Sequence, residues 1–562
     1  LYSSDKAAQW PDYSPDGKKV AFLEDRTTLR VIDLDTKAVN TALDGKYNYS
    51  YADGDVTFSW SPDSRWLLTS YIGVGGWNNS DIAIVRADGS EVVDLTESGY
   101  SDESPKWVLG GKSVTYTTGK YGMKSHGSWG NQDDIVIMLL DGEAWDEFNM
   151  TEEEAALAEK AKENKADENK SDDKKDKKDK KTKKTKGKDA KADEDTVEPL
   201  DFDLANRKYR TRRLTGSSAI YGDYFLSPKG DKLYYVVRDS EGSYNLMCLD
   251  IRKGETKVLT HGVRGAFATD KKGEKLFVIS GSGIKKIELP GGDSEQVEFE
   301  APYSRTPSKE REYIYDHMLS QVKDKFYDVN LHGVAWDSLG AHYREFLPYI
   351  NNNTDFAVLM SEVLGELNAS HTGARYYGGG ARMTTADLGA FYDENYDGDG
   401  LKVAEVIARG PLSLKKAGVV AGDIITEIDG MPIVAGTDYF PLLEGKNGKK
   451  VRLTVRKADG SIEHPVVRPS SYLGDEVYSR WVERNEALVD SLSNGRIGYV
   501  HIEGMDSPSF RTIYDRILGK YRNREAIIVD TRWNGGGWLH NDVALLLGGK
   551  EYVRFVPRGQ YI

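Results

Sequence analysis

Two stretches of this chain combine residue types that could carry out acyl transfer. The first is Asn368-Ala-Ser-His-Thr-Gly373, where His371 follows a run of helical apolar spacing and is flanked by Ser370 and Thr372. An imidazole changes charge near neutral pH, and a histidine just past a helix end is well placed to act as a general base. The same residue read alone also fits a surface or structural histidine. The second stretch, residues 526–537, reads Ala-Ile-Ile-Val-Asp-Thr-Arg-Trp-Asn-Gly-Gly-Gly. Its β-branched run predicts a strand buried on both faces, and helix-like spacing follows over 538–547. A strand–glycine–helix junction exposes backbone N–H groups, which can hold a phosphate or an oxyanion. Gly535, Gly536 and Gly537 lack the Gly-Lys-Ser/Thr and Gly-x-Gly-x-x-Gly patterns of phosphate sites. An oxyanion nest and a plain tight turn remain as the two readings.

Other chemistries find little support. Nine histidines without a His-Glu-x-x-His pair, and one cysteine, Cys248, supply no recognisable metal spacing and no internal disulfide. No metal and no organic cofactor are expected. The formal charge of −14 argues against non-specific nucleic-acid binding. No apolar run approaches the roughly 18 residues of a membrane span. A chain of 562 residues has room for about three to five domains. It opens without a Met or a signal peptide, as though within a domain, so its location is only weakly constrained.

These residues need a frame, and the first 300 positions supply a repeat. Tyr13-Ser-Pro-Asp-Gly17, Trp60-Ser-Pro-Asp-Ser64, Trp107-Val-Leu-Gly-Gly111, Leu226-Ser-Pro-Lys-Gly230 and, more weakly, Ala268–Gly273 each precede an alternating strand. The spacing is about 45 residues once one insertion is removed, the period of four-stranded β-propeller blades. The blades are assigned to 1–142 and 202–301, and further blades are expected upstream. The insertion, 143–201, begins with a possible short helix at 152–165. It then becomes almost wholly Lys and Asp, a composition that predicts a disordered, solvated loop.

Residues 302–384 carry helical periodicity over 307–319, 322–327, 335–347 and 356–367, with Trp336 as a core anchor. Residues 385–470 then present an ordered series: Leu388-Gly389-Ala390-Phe391, Arg409-Gly410-Pro411, Ala417-Gly418, Gly422-Asp423-Ile424-Ile425 and Asp429-Gly430. The series resembles a PDZ domain in a circularly permuted arrangement. That resemblance implies binding of an extended chain terminus by strand addition, with Leu388–Phe391 near the carboxylate-binding loop. Residues 471–562 follow as an α/β region, with a helix at 478–492, a strand at 498–505 and a crossover helix at 509–521.

Blades, helices ending at Ser370-His371, a PDZ-like module and Asn534-Gly535-Gly536-Gly537 occur here in one order. The order resembles the tricorn proteases, within the C-terminal processing serine peptidases, and nearly the whole chain is covered. The resemblance implies a multidomain fold of all-β propeller blades, a helical segment, an α+β PDZ-like module and the first part of an α/β serine-peptidase core. It implies His371 as the base, Ser370 as an orienting serine, and one of Gly535–Gly537, with Gly536 favoured, as oxyanion donor. His540 and Asn541 would line the cleft. It departs from the family in one respect. The family's serine nucleophile follows the glycines by tens of residues, and no serine lies between Gly537 and Ile562. An internal piece of a longer, proteolytic polypeptide is therefore expected, inactive by itself.

The expected substrates are oligopeptides or unfolded chains, with no nucleic-acid partner and assembly into homo-oligomers. A periplasmic or exported setting is preferred to a cytoplasmic one. The competing reading is a non-catalytic propeller–PDZ scaffold that binds peptides.

Overall fold

The computed structural model describes residues 2–73, 79–122, 132–158, 160–161, 198–280, 283–378, 384–537 and 539–549. The described residues fall into two compact units. One lies within Leu1–Glu298, His501–Arg522 and Asp530–Ile562, and the other within Phe299–Val500 and Asn523–Val529.

The first unit holds five four-stranded antiparallel sheets, one for each repeat read from the sequence. The first sheet runs Ala8–Tyr13, Lys19–Glu24, Thr28–Asp33 and Val39–Leu43. The middle strands are the most buried, as in Asp81–Arg86 and Asp134–Leu139, because both of their faces are covered. The Ser-Pro-Asp turn recurs as one hydrogen-bonded device. Ser14 Oγ accepts the Lys19 N–H at 2.9 Å and donates to Asp16 Oδ1 at 2.6 Å; Ser61 repeats this with Trp66 and Asp63 at the same distances. Neighbouring sheets are tied through aromatic donors on their first strands. Trp60 Nε1–H reaches the Asp12 carbonyl, and Trp107 Nε1–H the Ser59 carbonyl, both at 3.2 Å. A buried acid staples the strand ends of two sheets. Asp81 accepts from Thr96 Oγ1 and Ser98 N–H, and Asp134 from Thr215, Ser218 and Arg213.

The insertion leaves the third sheet after Asp134–Leu139, passes through a short helix, Gly142–Phe148, and re-enters as Thr211–Arg213. It thus interrupts one blade rather than the connection between two. Residues 152–158 are helical, and the Lys/Asp-rich stretch expected to be disordered lies outside the described residues.

In the second unit, α1 (Pro307–Lys325), α2 (Trp336–Arg344) and α3 (Asn353–Gly365) pack around Tyr315, Trp336, Phe356, Leu359 and Val363. The helices expected at 307–319 and 322–327 are one continuous helix, since Ser320-Gln321 contains neither Gly nor Pro to stop it. Trp336 is the expected anchor, 3% exposed, with its Nε1–H on the Leu319 carbonyl. The PDZ module follows as a sheet containing β1 (Ala390–Tyr392), β2 (Leu401–Val406), β3 (Ile424–Ile428) and β4 (Val451–Arg456), closed over a core of Leu388, Val403, Ile425, Leu453 and Val455. Helix α4 (Gly474–Ser493) lies against this module. Arg480 forms a two-pronged ion pair with Glu405, at 2.6 and 2.5 Å, and its guanidinium covers the Phe391 ring at 4.6 Å.

Strands β5 (Ile497–His501) and β6 (Ala526–Asp530) pair as a two-stranded sheet. The expectation that residues 526–529 are buried on both faces is not met. Exposure alternates along the strand, and Ile528 is 44% exposed, because among the described residues nothing covers its second face. Helices α5 (Ser507–Asp515) and α6 (His540–Gly548) fall in the first unit. Trp538 lies outside the described residues.

Candidate active site

His371 stands on a turn built in three steps. Helix α3 ends at Gly365 and its last carbonyls are closed by the N–H groups of Leu367 and Asn368. Leu367 is then buried against Val363, and the chain reverses through Asn368 and His371, both in the left-handed backbone region at φ 46 and 64. Asn and His tolerate that region better than most residues, and such backbone outliers gather at functional sites. Finally the turn is stapled to its own helix. Ser361 Oγ accepts the Ala374 N–H at 2.9 Å and donates to the Ala374 carbonyl at 3.0 Å. Thr372 Oγ1–H closes the loop on the Ala369 carbonyl at 3.0 Å.

On this frame Ser370 Oγ lies 2.6 Å from His371 Nδ1, and both side chains are exposed. With the proton on Nδ1, the imidazole donates to Ser370 and presents its Nε2 lone pair outward. That is the tautomer a general base requires, and Ser370, whose hydroxyl can accept as well as donate, is compatible with it. A second histidine braces the turn from behind. His332 Nδ1–H reaches the Leu367 carbonyl at 2.8 Å, while its Nε2 meets the Tyr327 hydroxyl and its ring is edge-on to Phe326. Ser361 and His332 carried no signal in the sequence, since neither lies near His371 along the chain.

The glycine turn is organised in the other unit. Asp530 is buried and held by Arg532 through 2.6–3.0 Å contacts. The buried His501 donates its Nε2–H to the Arg532 carbonyl at 2.7 Å. Asn534 bridges the turn: its Nδ2–H reaches the Ile502 carbonyl at 2.8 Å, and its Oδ1 accepts the Gly536 N–H at 2.7 Å. The Gly536 carbonyl accepts the Met505 N–H at 3.1 Å. The amide favoured from the sequence is therefore already engaged, leaving Gly535 and Gly537 as amides without a hydrogen-bond acceptor among the described residues. Gly537 is required as glycine, at φ 130 with the Met505 carbonyl 2.5 Å from where a Cβ would stand, whereas a Cβ on Gly535 would meet nothing within 4 Å. His540 and Asn541 open α6 and are exposed.

In the PDZ module, Leu388, Gly389 and Ala390 are buried and Phe391 lies under Arg480. Asp387, which the sequence reading passed over, places Oδ1 2.6 Å from the Gly389 nitrogen and accepts its N–H. Among the described residues no group of His, Cys, Asp or Glu is arranged to hold a metal, and no helix is long and apolar enough to cross a membrane.

Residues 307–365 match the Tricorn protease C1 domain and residues 402–457 a PDZ domain. The chain is tricorn-like. It is 34% identical over 265 residues to tricorn protease homolog 1 of Streptomyces coelicolor, covering 45% of this chain and 24% of that protein. It is 24% identical over 556 residues to the tricorn protease homolog of Saccharolobus solfataricus, covering 94% and 47%. The crystal structure of the tricorn protease superimposes on all of this chain and 53% of its own, with a TM-score of 0.72 at 17% identity, a likeness of fold. The chain spans about half or less of the length of these tricorn relatives. The C1 match stops just before the turn that carries His371.

Proposed function

We propose that this chain is part of a serine-type peptidase of the tricorn kind, acting on oligopeptides or unfolded polypeptide. What supports it most is the Ser370–His371 hydrogen bond on a turn stapled to a helix of a tricorn-like fold. In this reading Ser370 holds His371 by Nδ1, and Nε2 takes the proton of a serine nucleophile as it attacks the scissile carbonyl. His371 then returns the proton to the leaving amine. The developing oxyanion is held by the amides of Gly535 and Gly537, with Gly536 anchoring the turn through Asn534. The nucleophile would lie in the part of the relatives' length that this chain does not span. The PDZ module holds an extended substrate by adding it to an edge strand.

The test is labelling of the full-length protein with a fluorophosphonate probe, beside its His371→Ala variant. Wild-type labelling that is lost in the variant supports the proposal. Equal labelling of both, or none of either, rejects it.

A further inference from the structure

Strand β1 is the end strand of the PDZ sheet, paired on one side only, with β2. A polypeptide added along Ala390–Tyr392 would find unpaired backbone there. The loop leading into that strand is where such a module would receive a terminal carboxylate, through backbone N–H groups. Here that position holds an acid of the chain itself. Asp387 is fixed at its backbone by reciprocal hydrogen bonds with Ser470, at 2.7 and 3.1 Å. Its carboxylate accepts the Gly389 N–H at 2.6 Å, and the Gly389 carbonyl is taken by the Ile407 N–H at 2.9 Å. The position requires glycine: it sits at φ +85, and a Cβ there would stand 2.8 Å from Pro411. The acid's field reaches the residues packed beside the loop. Tyr392 is pushed far up by burial, with Tyr439 and Asp387 adding to it.

We propose that this module takes an internal, extended stretch of polypeptide along Ala390–Tyr392 and discriminates against free C-terminal carboxylates, because Asp387 already occupies the loop. Two carboxylates about 4 Å apart repel by about fivefold in affinity even in a water-like dielectric, and more where water is excluded. The inference rests on the peptide-binding role proposed above, but not on hydrolysis. A peptidase fed in this way engages chains away from their ends.

The 562-residue chain can be titrated into three N-terminally fluorescein-labelled probes, read by anisotropy. One is a ten-residue peptide of alternating Ser and Val with a free carboxylate, the second is its C-terminal amide, and the third embeds the same ten residues between Gly-Ser flanks. The expected result is equal binding of the amide and the embedded peptide, with the free acid at least about fivefold weaker. Asp387→Asn and Asp387→Gly should each bring the free acid level with the amide or beyond it. The ratio within one variant is independent of how much of that variant is folded. A wild type that binds the free acid as tightly as the amide overturns the inference, as does an unchanged ratio in both variants. Failure of all three probes to bind overturns strand addition itself. None of these outcomes depends on fluorophosphonate labelling, so the two proposals fail separately.

Discussion

Replacing Ser361 by Ala removes both hydrogen bonds that tie the His371 turn to α3. Each is worth about 1 kcal/mol net, and the half-buried Ala374 amide loses a partner that water replaces only in part, so a total of roughly 1–3 kcal/mol is expected. The loss is local, because Ser361 borders the helical core without filling it, and the core contacts of Leu359 and Val363 remain. Unfolding of the whole unit should therefore shift little, while the turn opens more often. Amide exchange at Ala374 should accelerate by about tenfold or more, following the 1.4 kcal/mol per decade relation. In the full-length protein, fluorophosphonate labelling should slow by less than this, in proportion to the closed fraction of the turn that is lost. Ser361→Thr keeps the hydroxyl and should restore both readouts. Exchange and labelling identical to wild type in Ser361→Ala would refute the idea that this staple positions His371.

Three further outcomes follow from geometry already described. Gly537→Ala should destabilise the glycine turn by roughly 2–3 kcal/mol, since it combines a forbidden φ with a backbone clash, while Gly535→Ala should shift the melting temperature little. Asp94 has its carboxyl pushed up to about 6, first by burial, against which the Glu97 N–H works, with the nearby Asp81 adding to the rise. The fold holds that proton after the unfolded chain has released its own, so this group's contribution falls as pH rises from about 4 to 6. Asp94→Asn should then stabilise by up to about 2 kcal/mol at pH 7 and leave stability unchanged near pH 4, read by denaturant titration at both pH values. Trp107→Phe removes the Nε1–H that ties two sheets and should cost about 1–2 kcal/mol, checked by chemical unfolding.

Much of the architecture was legible because local chemistry set it. Each Ser-Pro-Asp turn announces its strand, since the serine and aspartate close the turn within a few residues. Gly418, Gly422 and Gly430 of the PDZ module are similarly local, each at a positive φ that glycine adopts freely. His371 was legible as a candidate from its neighbours Ser370 and Thr372. What supports it was not, because Ser361 and His332 meet the turn only after the chain has folded back. The same holds for Asp387 and Asn534, ordinary polar residues until their side chains turn onto Gly389 and Gly536. The strand at 526–529 was misread because an apolar run reports what could be covered, not what covers it.

The interrupted blade carries a last consequence. Where the chain returns from the insertion, Phe202 stacks on Trp107 at 6.2 Å. Arg207 and Arg210 reach the carbonyls of Asp94, Leu95 and Leu139, and Leu200 N–H reaches Asp63. Every one of these clasps joins residues that lie on opposite sides of 162–197 in the chain, so the two sides are held together by more than that covalent thread. Cutting that thread would convert one polypeptide into two complementary halves, each carrying strands the other completes. Such halves, made as separate chains, should find one another and co-purify.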